Sequence, residues 1–153
     1  MSGNFDQVKN FLIPFLLYLL HQNLQTKTGM TMKKILIAED NKLILDTVVF
    51  KLQKDGYEIV KAVNGKECLE CLHSGSYDLL ITDLFMPYIS GHEIISAVRS
   101  EMKSDLPILV LSAAGAEETV LKAFELGADD YMIKPFSLSE LSVRVRKILA
   151  SRE

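Results

Sequence analysis

Residues 79–91 read LLITDLFMPYISG. Leu79, Leu80 and Ile81 form an unbroken apolar run, the mark of a strand covered on both faces. Asp83 follows that run, Met86-Pro87 breaks the chain, and Ser90-Gly91 turns it. In a sheet wrapped by helices, ligands bind beyond the carboxyl ends of the strands. Asp83 is read as the residue that this strand holds in place.

Working outward, comparable runs are KKILIA (33–38), YDLLIT (77–82) and PILVLSA (107–113), with weaker ones at YEIVKA (57–62) and DYMIKP (130–135). The polar interruptions in YEIVKA suit an edge strand. Helical stripes fill the gaps: Leu45, Val48, Val49 and Leu52; Ile95, Val98 and Met102; Val120, Ala123 and Phe124; Leu138, Leu141, Val145 and Ile148. Gly56 and Gly127 are read as helix stops, and Ser137 with Glu140 as a capping box. Five β-α repeats with right-handed crossovers predict an α/β fold, a doubly wound five-stranded parallel sheet with helices on both faces.

The bulk numbers suit one soluble globular domain: 153 residues, 48% apolar and 24% charged. A formal charge of −3 argues against a broad basic face for nucleic acid, so no direct nucleic-acid partner is expected. Cys68 and Cys71 have Cys-x-x-Cys spacing, but with Leu72 they share one face of a helix and read as small apolar residues. No second pair completes a zinc site.

Residues 1–31 differ in character from 32–153 and are read as an apolar N-terminal extension. FLIPFLLYLL (11–20) carries no charge but is too short to span a bilayer, which takes about 20 residues. Three readings stay open: an extension from an early start codon, a packing or dimerising helix, and membrane attachment. No membrane partner is expected, and a homodimer stays open.

The polar residues then fall into one place. The first strand ends in Glu39-Asp40, the third in Asp83, the fourth in Ser112 and the fifth in Lys134-Pro135. Taken singly, a strand-end Asp or Ser is usually a cap and Lys134 a solvated charge. Jointly they converge on one rim. Crowded carboxylates repel by about 1–4 kcal/mol per close pair at moderate dielectric, which stability does not require and a divalent cation explains. An all-oxygen site suits Mg²⁺. Lys134 and Ser112 beside it would trap phosphoryl oxygens, and the Asp83 carboxylate is available as nucleophile. Asp129-Asp130 precedes its strand and belongs to the opposite rim. His92, at a helix start, is expected to be exposed. Arg144, Arg146 and Lys147 are read by default as solvated, with a docking face as the alternative.

From Lys33 onward the segments ILIAEDN, DLFMPYISG, LSAAG and GADDYMIKPF resemble the receiver domain of two-component response regulators, of the stand-alone single-domain type. The expected sheet is flavodoxin-like, order 2-1-3-4-5. The resemblance implies that Asp83 accepts phosphate from a phosphohistidine on a sensor histidine kinase or histidine phosphotransfer protein. Asp40, Asp83 and the Phe85 backbone carbonyl would bind Mg²⁺, Glu39 acting through water. Ser112 would hydrogen-bond the phosphoryl group and Lys134 pair with it. The Lys134-Pro135 bond is expected cis. Ser112 and Tyr131 would form a switch reshaping the surface of the fourth helix, fifth strand and fifth helix for a downstream protein target. A cytoplasmic regulatory domain is implied, catalysing only its own phosphorylation and dephosphorylation.

Two positions depart from the family habit: Phe85 and Ala114, two residues after Asp83 and Ser112, cannot orient an attacking water. No effector domain is expected after Glu153, so output is expected through protein contact. One rival is a receiver-like adaptor that is not phosphorylated. The other is a haloacid-dehalogenase-like phosphatase, which needs a second aspartate two residues after the nucleophile, where this chain has Phe85.

Overall fold

Unbroken apolar runs in the central strands build the sheet. The computed structural model describes residues 31–113 and 116–152, together with Leu16 and Leu17. The rest of the segment 11–20, and Ala114, lie outside the described residues. The chain divides into two units, Met1–Thr31 and Met32–Glu153. Within the second, β1 (Lys34–Ala38), α1 (Lys42–Lys54), β2 (Glu58–Ala62), α2 (Gly65–Ser74), β3 (Leu79–Asp83), α3 (Gly91–Ser96), β4 (Ile108–Ala113), α4 (Glu117–Leu126), β5 (Asp130–Lys134) and α5 (Leu138–Ala150) follow in order.

The strands form one parallel sheet in the order β2-β1-β3-β4-β5. Every residue of β3 is buried, as a central strand covered on both faces requires. β2 and β5 are the edges, and both carry the mixed sequences that edges tolerate. Successive residues of β1 point to opposite layers. Ile35 and Ile37 pack with Leu45, Val48 and Leu52 of α1 and Leu141 and Val145 of α5. Leu36 and Ala38 pack with Cys68 of α2, Ile94 and Ile95 of α3, and Ala123 of α4. Each fully buried Leu or Ile contributes about 1.5–3 kcal/mol, so both layers bind the sheet firmly.

Helix ends follow local chemistry. Asn41, Asn64, Ser90 and Ser137 cap α1, α2, α3 and α5 through their side chains. The reciprocal capping box expected at Ser137 forms only by half. Glu140 donates its amide to Ser137 Oγ at 3.0 Å, but its carboxylate turns to Arg144. The complete box lies at Ser90 and Glu93.

Several expectations need correction. The stripe Ile95, Val98 and Met102 does not continue as regular helix: α3 passes into a π-helical stretch at Ala97–Glu101. Phe124 does not face the core. It is 39% exposed and meets Tyr131 edge-on, ring centroids 5.7 Å apart. His92 is half-buried, with Nε2 2.9 Å from the Thr119 carbonyl. Arg144 is paired with Asp130 and Glu140, whereas Arg146 and Lys147 are exposed. Among the described residues, no helix is long and apolar enough to cross a membrane.

Candidate functional site

Four strands deliver polar side chains to one rim. β1 runs directly into Glu39 and Asp40; β3 ends on Asp83, and β5 on Lys134. Ser112 lies on β4 opposite Ile133, one register step before Lys134. The carboxylates of Glu39, Asp40 and Asp83 each present an oxygen within 4.8 Å of the others. Glu39 and Asp83 are buried, at 1% and 7% exposure, while Asp40 is open to solvent.

Lys134 spans the two buried acids. Its Nζ donates to Glu39 Oε2 at 2.6 Å and to Asp83 Oδ2 at 2.8 Å. Glu39 Oε1 accepts from the Asn41 amide at 3.0 Å, and Asp83 Oδ1 from the Phe85 amide at 3.2 Å. Burial pushes the Glu39 carboxyl above its ordinary range, only partly offset by the bonds from Lys134 and Asn41. For Lys134, burial works against the ammonium, but the bonds to Asp83 and Glu39 outweigh it and hold its pKa above the ordinary lysine value.

Ser112 is fully buried, and its Oγ is the one buried side-chain polar atom without a hydrogen-bond partner among the described residues. Such an orphan costs about 1–3 kcal/mol. Ser112 lines a pocket of about 230 Å³ with Val120, Phe124, Tyr131 and Ile133. Tyr131 is half-buried at its wall.

The loop after β3 is tightly turned. Tyr88 has φ 71°, and the Gly91 amide donates to the Leu84 carbonyl at 3.0 Å. The Lys134-Pro135 peptide bond is cis. Asp129 precedes β5 and Asp130 opens it, and both support the far rim: Asp129 Oδ2 accepts from Arg99 and from the Ile108 amide, and Asp130 pairs with Arg144.

The donor set suits a hard divalent cation. Three carboxylates against one ammonium leave a formal charge of −3 + 1 = −2, and every donor is oxygen. Residues 35–146 match the family model described as the response regulator receiver domain. The chain belongs to this family.

Similar curated proteins include the transcriptional regulatory protein PrrA of Mycobacterium tuberculosis, 35% identical over 125 residues, which cover 82% of this receiver and 53% of PrrA. The transcriptional regulatory protein CusR of Escherichia coli is 40% identical over 116 residues, covering 76% of this chain and 51% of CusR. The chain spans about half the length of the curated relatives it matches. Among solved structures, the receiver domain of the Francisella response regulator 1452 has a TM-score of 0.74 and 31% identity, covering 79% of this chain and 99% of that one. The chemotaxis response regulator CheY4 of Vibrio cholerae has a TM-score of 0.72 and 31% identity, covering 77% and 99% respectively.

The acids, Ser112 and Lys134 of this receiver were legible from their strand ends. The bond from Lys134 to Glu39, over 95 positions of sequence, was not. Nothing local announces it; β3 and β4 lie between β1 and β5, and the Lys134 side chain makes the contact across the rim.

Proposed function

We propose that residues 32–153 act as a phosphorylation switch in which Asp83 accepts a phosphoryl group from a phosphohistidine on a sensor kinase or phosphotransfer protein. The observation carrying this reading is the convergence of Asp83, Lys134 and the unpartnered Ser112 hydroxyl beside two further acids.

Asp40 and Asp83 would hold Mg²⁺ with the Phe85 carbonyl, and Glu39 through water. When bound, the cation neutralises charge developing on the phosphoryl oxygens. The Phe85 amide fixes the Asp83 carboxylate by bonding Oδ1. An oxygen of that carboxylate attacks phosphorus in line; the new O–P bond forms as the N–P bond to histidine breaks. The electron pair of the broken bond returns to the imidazole, which takes a proton. Lys134 already touches Asp83 Oδ2 and would follow the charge outward to a phosphoryl oxygen. Ser112 would donate its hydroxyl to another oxygen, ending its isolation.

The rim favours a protein donor. Leu43, Phe85 and Tyr88 around the acids are 77%, 60% and 83% exposed, an apolar surface that a small ion does not need. Movement of Ser112 would alter the pocket it shares with Tyr131, whose half-buried ring meets Phe124 edge-on beside the core. The surface of α4, β5 and α5 is thereby the proposed output face for a protein target. The proposed setting is cytoplasmic, with no direct nucleic-acid contact by this domain and no turnover of an external substrate.

Incubation with a phosphohistidine-bearing kinase domain tests the reading. Label should pass to this chain, depend on Mg²⁺ and vanish on chelation. Metal-independent transfer, or release of free phosphate from an ester substrate without labelling of the chain, would count against it.

A further inference from the structure

The carboxyl end of β2 carries none of the site residues, yet it touches both acid-bearing segments. On one side the Glu39 amide donates to the Ala62 carbonyl at 3.1 Å, tying the acids after β1 to the end of β2. On the other side lies Gly65, the first residue of α2. A Cβ there would fall 1.9 Å from the Ile89 carbonyl oxygen, 2.7 Å from its carbonyl carbon and 2.8 Å from its Cβ. Two of these atoms are backbone, so no change of rotamer relieves the clash.

Neither side is built to yield. Asn64 Oδ1 accepts from the Glu67 amide at 2.9 Å, and Glu67 Oε2 accepts from the Val63 amide at 3.0 Å. The loop facing this corner is braced as well. The Ile89 amide donates to the Pro87 carbonyl at 2.9 Å, and Tyr88 holds φ 71°. A Cβ at Gly91 would stand 2.3 Å from the Asp83 carbonyl oxygen, so the far end of the loop packs closely on the backbone of the residue that carries the acid.

We propose that Gly65 is a positioning residue for the cation site: the corner Ala62–Gly65 sets the spacing between Glu39-Asp40 on one side and Asp83 with the Phe85 carbonyl on the other. The inference rests on the reading of these acids as a Mg²⁺ site. A methyl group at position 65 displaces Ile89, and the braced loop passes the shift to Asp83 and Phe85. Mg²⁺ demands near-ideal octahedral geometry and tolerates such a shift poorly, whereas Ca²⁺ accepts longer and more varied coordination. Gly65 therefore favours Mg²⁺ over Ca²⁺, beyond any contribution to folding.

Calorimetric titration of the full chain with Mg²⁺ and with Ca²⁺ tests this. Gly65→Ala should lose about 10- to 100-fold in Mg²⁺ affinity, the range for supporting residues around a metal, and distinctly less in Ca²⁺ affinity. Gly56→Ala is the control. Its φ of +97° strains any side chain, but nothing lies within 4 Å of its Cβ, so it should unfold earlier yet bind Mg²⁺ as the parent does. Asn64→Ala loosens the same corner without added bulk or changed charge. It should shift the Mg²⁺/Ca²⁺ ratio in the same sense by less, and it decides the matter if Gly65→Ala fails to fold. An unchanged ratio in the folded corner variants, or the same loss in Gly56→Ala, overturns the positioning role and leaves the cation site standing. A parent that binds no Mg²⁺, or binds it equally as Asp83→Asn, overturns the cation reading and the positioning role together.

Discussion

Lys134 Nζ and Asp83 Oδ2 lie 2.8 Å apart across 51 positions of sequence, joining the last residues of β5 and β3. The same ammonium holds Glu39, which is 1% exposed. Removing it would leave two buried carboxylates with no cation. Lys134→Met should therefore cost about 3 kcal/mol of stability in metal-free buffer, near the low end for breaking a buried ion pair. Saturating Mg²⁺ should recover part of the loss by neutralising the same acids. Urea unfolding with and without Mg²⁺ measures both numbers; a cost below about 0.5 kcal/mol would mean that the ammonium is not needed to hold the acids together.

Phe85 bonds Asp83 through its backbone, while its side chain is 60% exposed and has no group to orient water. Phe85→Asn keeps the amide and adds such a group. Loss of phosphate should speed up by about an order of magnitude, short of the ~10²-fold of a well-placed general base. Decay of the phosphorylated form, followed by mass spectrometry, reports the rate. An equal or slower rate in the variant would mean that the side chain at position 85 does not limit the loss of phosphate.

The outcome at particular residues explains what the sequence could and could not convey. Strand order and the shared rim were legible because burial on both faces writes itself as unbroken apolar runs, as in Leu79–Ile81. Lys134 and Glu39 were legible as members of the rim but not as partners, since their contact depends on the sheet rather than on spacing. Phe124 fits a helical stripe yet sits at the edge of its layer, where Tyr131 and solvent share its ring. His92 follows a turn, the usual mark of exposure. The packing of α3 on α4 instead brings it to the Thr119 carbonyl.

Cys68 tests the packing of α2. It is 0% exposed, and burial above all, with Cys71 nearby, pushes its thiol from 9.0 up to about 12. In native protein at pH 8 an alkylating agent should label Cys71 alone, and Cys68 only after unfolding. The folded state disfavours the Cys68 thiolate, so this group's contribution is full below pH 9.0 and falls away as pH rises toward 12. Peptide mapping after native alkylation decides; Cys68 reacting at the rate of a free thiol would refute its burial.

All the proposed site residues belong to the unit Met32–Glu153, and β1 begins at Lys34. A chain starting at Met32 should fold and bind Mg²⁺ as the full chain does, and removal of residues 11–20 should reduce self-association. Thermal unfolding and light scattering test the two halves of this expectation. An insoluble shortened chain, or one several kcal/mol less stable, would make the first 31 residues part of the folded unit.

The central claim is that Asp83 carries the phosphoryl group, and intact-mass spectrometry after treatment with a small-molecule phosphodonor and Mg²⁺ tests it most directly. The parent should gain the mass of a single phosphoryl group, mapped by fragmentation to the peptide containing Asp83, and Asp83→Asn should gain none. The same adduct on Asp83→Asn, or an adduct mapped to another residue of the parent, would contradict the account.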